Sequence, residues 1–266
     1  MHVHATTNLE HFAPDAFRFY RRVCETLQAS DIPFLVGGAY AFSYYTGIIR
    51  HTKDLDLFVR PGDAQAVLGV LARAGHRTEM CFSHWLGKVF EGTDFVDIIF
   101  SSGNGLCRVD DGWFQHAIEA EVLGARQRLA PAEEMIWQKA YIMERERFDG
   151  ADVNHLLRAR GRHLDWDRLL ARFGPHWRLL LAHLVLFGFV YPDDHDNVPV
   201  HVIRTLTARL HDDPAPALTN SLCQGPLLSR TQYLIDTDEW GYMDPRLVPL
   251  GAMSHDQVAR WTDAGL

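Results

Sequence analysis

The chain contains 266 residues, 47% of them apolar and 23% charged, and its formal net charge is −8. This composition is typical of a soluble globular protein with one large domain or two smaller ones. The negative charge excludes a polybasic protein that binds nucleic acid through its overall charge, and RNA is therefore not favoured as a partner.

Signals for export, membrane insertion and disulfide formation are weak throughout the sequence. Residues 1–15 lack the basic and apolar regions of an export signal. The most apolar run, 177–191, contains Arg178 and His183 and is shorter than the about 20 residues that cross a bilayer, which predicts a buried helix and no membrane association. Four scattered cysteines without a CxxC pair exclude a zinc ribbon and favour a reducing, cytoplasmic location.

Helix and strand signals are interleaved over roughly the first 130 residues. Apolar spacing predicts a helix at 15–29 and a buried strand at 34–36. A tight turn at Gly37-Gly38 and a second helix at 39–45 follow. The segment KDLDLFV alternates strictly and predicts a strand, and further strands are predicted at 76–82, 85–90 and 94–100. Such interleaving indicates an α/β or α+β sheet domain.

After Pro131 the pattern becomes almost wholly helical. We therefore predict a sheet domain at 1–130, a helical domain at 131–211 and an irregular C-terminal extension, packed on the body, at 212–266. The arginine-rich run between Arg145 and Arg172 has acidic residues interspersed, which favours a solvated helix face over an RNA-binding flank.

Two carboxylates in KDLDLFV are the most informative feature. Asp54 and Asp56 are two positions apart on a predicted strand, so both project from the same face. Two acidic groups this close repel each other unless a cation lies between them. Oxygen ligands of this kind suit Mg²⁺, or Mn²⁺ in its place.

Further candidates lie on other predicted elements. Asp97 is the one charged residue between Phe95 and Phe100 of an otherwise apolar predicted strand, and burying it is costly unless it is paired or binds a metal. Gly37 and Gly38 form a strand-to-helix turn where backbone N–H groups can approach phosphate oxygens.

These residues together resemble the DNA polymerase β-like nucleotidyltransferase superfamily, whose signature is a glycine turn, an Asp-x-Asp strand and a third carboxylate on a later strand. Here they are Gly37-Gly38, Asp54 with Asp56, and Asp97. The context GGAYAFSYYTGIIRHTKDLDLFV resembles most the AbiEii-type and minimal nucleotidyltransferase branch. The second turn residue is Gly38 and not serine, so this turn offers no hydroxyl to a phosphate.

The resemblance implies an α+β fold with a mixed sheet flanked by helices, followed by a helical domain. It implies transfer of a nucleoside monophosphate from an NTP, the co-substrate, to a hydroxyl of a tRNA end, a protein or a metabolite, with release of pyrophosphate. The three aspartates would be catalytic and bind two metal ions.

Nucleotide binding is implied for the glycine turn, for Arg50 and Thr52 just before the Asp-x-Asp pair, and for Lys139 on a later helix. Arg50 could equally form a salt bridge to one of the aspartates. Lys139 could extend from a helix surface without touching a phosphate, and Asp149 and Asp152 could only cap the following helix.

Two other function classes fit the same residues. One is a catalytically inactive nucleotide-binding or toxin–antitoxin partner protein with this fold. The other is an unrelated hydrolase that uses the carboxylates and a metal on a phosphoester. Pyrophosphate as the product, in place of inorganic phosphate, distinguishes the transferase from the hydrolase.

Overall fold

The computed structural model describes residues 14–50, 52–212 and 221–264. The chain divides into two compact units, Met1–Pro131 and Ala132–Leu266. Separate domains at 131–211 and 212–266 stay a prediction. The residues examined for an export signal lie almost entirely outside the described part of the chain.

The first unit is built on a seven-stranded mixed sheet, which confirms the predicted α+β class. The strand order is β3-β4-β5-β2-β1-β7-β6. The two central pairs β2–β5 and β1–β7 are parallel, and the other neighbours are antiparallel. The strands are β1 Leu35–Val36, β2 Asp54–Phe58, β3 Arg77–Phe82, β4 Leu86–Glu91, β5 Asp94–Ile99, β6 Ile118–Val122 and β7 Ala125–Leu129.

Helices of the first unit cover the sheet with apolar faces. Phe19, Val23 and Leu27 of the first helix are fully buried. The second helix is capped at its end by Gly47, whose φ of 73° is the left-handed conformation that glycine adopts without strain. The helices are α1 Pro14–Gln28, α2 Gly38–Thr46, α3 Ala64–Arg73 and α4 Asp111–Gln115.

The hairpin β6–β7 was not predicted from the sequence. Leu123 and Gly124 both have positive φ, 58° and 68°, which is the conformation of a two-residue hairpin turn. Strand β7 then pairs in parallel with β1 through Val36 and Leu129. The hairpin therefore supports the short strand that leads into the glycine turn.

The second unit is helical, as the sequence predicts. Its helices are α5 Ala132–Ala140, α6 Gly150–Arg160, α7 Trp166–Phe173, α8 Trp177–Val190, α9 Val200–Asp212, α10 Leu234–Asp238 and α11 His255–Asp263. The sequence predicts irregular structure at 212–266, and the last two helices, α10 and α11, lie within this segment. Ser254 and Gln257 form a capping box that starts α11.

Part of the arginine-rich run is buried and does not form a solvated face. Arg168 contacts the carboxylates of both Glu133 and Glu134, and Arg172 contacts Glu134, whose side chain is fully buried. Buried carboxylates need such partners because an unpaired buried charge is costly. These arginines therefore stabilise the helical packing.

One stretch, Trp166–Val190, is long and apolar enough to cross a membrane by length and composition, with a mean hydropathy of 1.3. The structure divides it into α7, a short 3-10 turn at Gly174–His176, and α8. Leu169, Leu180 and Leu184 of this stretch pack inside the unit. Core helices of globular proteins can have the same length and apolar composition, so this stretch alone is weak support for a membrane span.

Candidate functional site

Strand β2 places the first two candidate carboxylates. Leu55 and Leu57 are fully buried in the core, whereas Asp54 and Asp56, the alternate residues, are half-buried. The period of two in a strand puts both carboxylates on the face opposite these leucines. This is the arrangement expected from the sequence.

Strand β5 brings the third carboxylate to the same place. It pairs in parallel with β2, and this register sets Asp97 directly opposite Asp56. One carboxylate oxygen from each of Asp54, Asp56 and Asp97 lies within 4.8 Å of the other two. We call these three residues the carboxylate triad. Their separation is short enough for the three side chains to share a metal ion.

The glycine turn lies against the triad. The backbone N–H of Gly37 donates to the carbonyl oxygen of Asp56 at 2.9 Å. Gly38 has a φ of 51°, and a Cβ atom there would lie 1.6 Å from Oδ2 of Asp56. Any larger residue would displace the carboxylate, so the close approach of the turn to the triad requires glycine.

Thr52 and Arg50 have different surroundings. The Thr52 hydroxyl donates to Oδ1 of Asp54 at 2.6 Å and therefore orients that carboxylate. The Arg50 guanidinium lies over the ring of Phe42, 4.5 Å from its centroid. Binding of nucleotide by either residue stays a prediction.

Burial and neighbouring charges act on the triad. Burial raises the pKa of Asp97 above its ordinary value, and the nearby Asp54 carboxylate adds to that rise. The ammonium of Lys88 opposes it through a hydrogen bond of 2.7 Å to Oδ1 of Asp97. Burial and several carboxylates, those of the triad among them, also raise the pKa of the Tyr20 hydroxyl.

Lys139 belongs to the second unit, where it contacts two acidic side chains. Its Nζ atom lies 2.8 Å from Oδ2 of Asp149 and 2.6 Å from Oδ2 of Asp152. Burial alone would raise the pKa of Asp149, but Arg147 and Lys139 outweigh it and hold that pKa below its ordinary value. Asp149 precedes α6 without a side-chain capping bond. The predicted phosphate contact of Lys139 stays a prediction.

Comparison with protein families gives a direct result. The model of a family described as uncharacterised nucleotidyltransferase matches residues 15–186, well over half of the chain. The chain belongs to this family. No curated protein matches this nucleotidyltransferase in sequence. The AbiEii-type branch stays a prediction.

Several solved structures are similar to parts of this nucleotidyltransferase, each at 15% identity. The antibiotic-resistance factor ANT(2″)-Ia matches with a TM-score of 0.44 over 63% of this chain and 95% of its own. The lincosamide antibiotic adenylyltransferase LnuA matches with 0.39 over 53% and 95%, and JHP933 from Helicobacter pylori with 0.40 over 79% and 97%. Similarities at this level carry no argument about substrates.

Sequence reasoning missed two residues at the triad of this nucleotidyltransferase. Lys88 is the one lysine in the strand LGKVFE, and Tyr20 lies on an amphipathic helix where its spacing indicates only core packing. A signal for Lys88 existed, since a lone lysine between apolar strand residues needs an acidic partner when buried. The sequence did not indicate which strand would supply that partner.

Proposed function

We propose that this nucleotidyltransferase transfers a nucleoside monophosphate from an NTP to a hydroxyl acceptor and releases pyrophosphate. The observation that carries the proposal is the convergence of Asp54, Asp56 and Asp97, with one oxygen of each within 4.8 Å of the others, beside the Gly37-Gly38 turn. An aspartate trio that flanks a tight glycine turn suits a metal-bound triphosphate.

The donor set fits Mg²⁺ or Mn²⁺, which we propose as the cofactor. All three side chains offer carboxylate oxygens, the ligands that these hard cations prefer. Burial of Asp97 raises its pKa, and a bound cation would relieve this cost of keeping the carboxylate charged. When bound, the ion would supply a Lewis acid that neutralises phosphate charge.

The reaction that we propose is an in-line displacement. The acceptor oxygen forms a bond to the α-phosphorus, and the bond from that phosphorus to the oxygen bridging to the β-phosphorus breaks. Pyrophosphate leaves with the electron pair, and the hydroxyl proton passes to a carboxylate. We propose Asp97 for this last role, because it is the triad member that lies on the separate strand β5.

Binding of the triphosphate is proposed for the backbone of the Gly37-Gly38 turn, for Arg50 and for Lys139. Thr52 is proposed to act through Asp54, since its hydroxyl already donates to that carboxylate. We also propose that the protein is related to the AbiEii-type branch and that it is located in the cytoplasm. The four cysteines all lie in the described part of the chain and form no disulfide there, which suits a reducing compartment.

Calorimetric titration with each non-hydrolysable NTP, with and without Mg²⁺, tests the site. We expect Mg²⁺-dependent binding of at least one NTP by the wild type and none by Asp54→Asn/Asp56→Asn. The matched control is Asp63→Asn/Asp111→Asn, which removes two carboxylates that contact Arg60 and has the same charge change. We expect this control to bind as the wild type does.

A second measurement identifies the product formed from a labelled NTP with tRNA, protein and small-metabolite acceptors. Pyrophosphate with a labelled acceptor is the expected result. Nucleotide binding without turnover on any acceptor would favour the inactive partner protein, and inorganic phosphate would indicate a hydrolase. Failure to bind any NTP would overturn the proposal.

A further inference from the structure

Lys88 lies in one row with two residues of the carboxylate triad. Strand β4 pairs with β5 so that Lys88 is opposite Asp97, and β5 pairs with β2 so that Asp97 is opposite Asp56. Residues opposite each other in neighbouring strands project from the same face of the sheet. The lysine therefore belongs to the face that carries the triad.

The ammonium of Lys88 has a defined position. Its Nζ atom donates to Oδ1 of Asp97 at 2.7 Å and lies 3.8 Å from the centroid of the Phe95 ring. The side chains of Lys88 and Asp97 are only 23% and 14% exposed. A charge-assisted hydrogen bond and a cation–π contact in such a sheltered place hold the positive charge against the third carboxylate.

A metal ion bound to the same oxygen of Asp97 would compete with this ammonium. Two cations at a distance of a few ångströms repel strongly where water is scarce. A second ion on Asp97 would therefore require Lys88 to move away from Oδ1. A single ion shared with Asp54 and Asp56 needs only one oxygen from Asp97.

We propose that the triad binds one divalent ion and that Lys88 is a positioning residue whose ammonium takes the place of a second ion at Asp97. This inference rests on the proposed function and deepens it. It replaces the two-ion arrangement that the family resemblance implies. The lysine orients Asp97 and supplies a permanent positive charge next to it.

The test is titration of the full-length protein with Mn²⁺ alone, with free Mn²⁺ followed by electron paramagnetic resonance. We expect one ion per chain in the wild type. Lys88→Met should bind Mn²⁺ at least about tenfold more tightly or bind a second ion, because the competing charge is gone. Lys88→Arg keeps a cation and should return the stoichiometry to one ion at an affinity near that of the wild type.

The control variant is Arg126→Met, which removes one positive charge from an exposed pair with Glu119 on the hairpin β6–β7. Its stoichiometry and affinity should equal those of the wild type, which separates the effect of Lys88 from that of net charge. The wild-type stoichiometry decides the inference even if Lys88→Met fails to fold.

Two results would overturn the inference and leave the proposed function intact. One is two ions per wild-type chain, and the other is Mn²⁺ binding by Lys88→Met that equals the wild type in number and affinity. Absence of Mn²⁺ binding in every variant, together with absence of nucleotide binding, would overturn the proposed function and the inference with it.

Discussion

The two units each contain a buried lysine against carboxylates, and the two clusters differ in their balance of charge. In the first unit, Lys88 contacts Asp97, whose pKa is nevertheless raised by burial and by Asp54. In the second unit, Lys139 and Arg147 both contact Asp149, and its pKa is lowered in spite of burial. The opposite directions of these pKa shifts indicate that the cations beside Asp149 outweigh its burial, whereas the ammonium beside Asp97 does not.

This difference separates carboxylates that neighbouring cations already neutralise from a carboxylate that still needs a cation. A carboxylate with two cations beside it stabilises the fold and has little need of a further ligand. A carboxylate whose charged form is disfavoured destabilises the fold until a cation binds, which is a common feature of functional sites. The following predictions test whether the two clusters differ in this way.

The largest expected effect is loss of stability in Lys139→Met. Asp149 and Asp152 would both lose their contact with the ammonium in a largely buried place, which costs about 3 kcal/mol of the free energy of unfolding. Lys88→Met should cost less, because one carboxylate loses its contact with the ammonium in place of two. Urea denaturation at neutral pH without divalent ions measures both variants. Equal losses would contradict the comparison.

A smaller effect is expected at Thr52, which touches the triad through Asp54. Thr52→Val removes the hydroxyl that donates to Oδ1 of Asp54, and loss of such an orienting partner reduces metal affinity by about 10- to 100-fold. Titration with Mn²⁺ measures this loss. Thr26→Val, which removes a hydroxyl that donates to the carbonyl of Arg22, is the control and should bind Mn²⁺ as the wild type does.

The smallest effect concerns pH and has opposite signs in the two clusters. The folded-state pKa of Asp149 is lowered, so its stabilisation is complete above the unfolded pKa of about 3.9 and is lost as the pH falls through the folded value. The folded-state pKa of Asp97 is raised, so this group favours unfolding as the pH rises from about 3.9 through the folded value.

Chemical denaturation from about pH 7 to about pH 3 in the absence of divalent ions checks both signs. On acidification, Asp149→Asn should lose less stability than the wild type, and Asp97→Asn should lose more. The limit for one group is about 1.4 kcal/mol for each pH unit inside its window. Changes of the same sign in both variants would show that the two carboxylates do not differ as described.

Local periodicity was enough to predict much of the fold and the core of the site. The alternation in KDLDLFV predicted strand β2, and the one charge among the apolar residues from Phe95 to Phe100 singled out Asp97. Alternation does not reveal which strands are neighbours. The parallel register that pairs Asp56 with Asp97, and the antiparallel register that pairs Lys88 with Asp97, became known only from the structure.

Two misses have different physical reasons. Apolar and polar residues alternate in the hairpin β6–β7 as clearly as in β2, in IEAEV and ARQRL, and its turn contains Gly124. The sequence therefore carries a signal for this hairpin that the prediction did not include. Arg168 and Arg172 lie 34 and 38 residues after Glu134 in the sequence, on a different helix. Charge patterns within one helix do not predict contacts of this kind.

The scarcity of lysine has a practical consequence for chemical labelling. Lysine accounts for three of the 26 lysine and arginine residues, at positions 53, 88 and 139. Lys53 is exposed, whereas the amino groups of Lys88 and Lys139 are sheltered and already donate hydrogen bonds to carboxylates. An amine-acylating reagent should therefore modify Lys53 first, and the later acylation of the other two would report separately on the opening of each cluster.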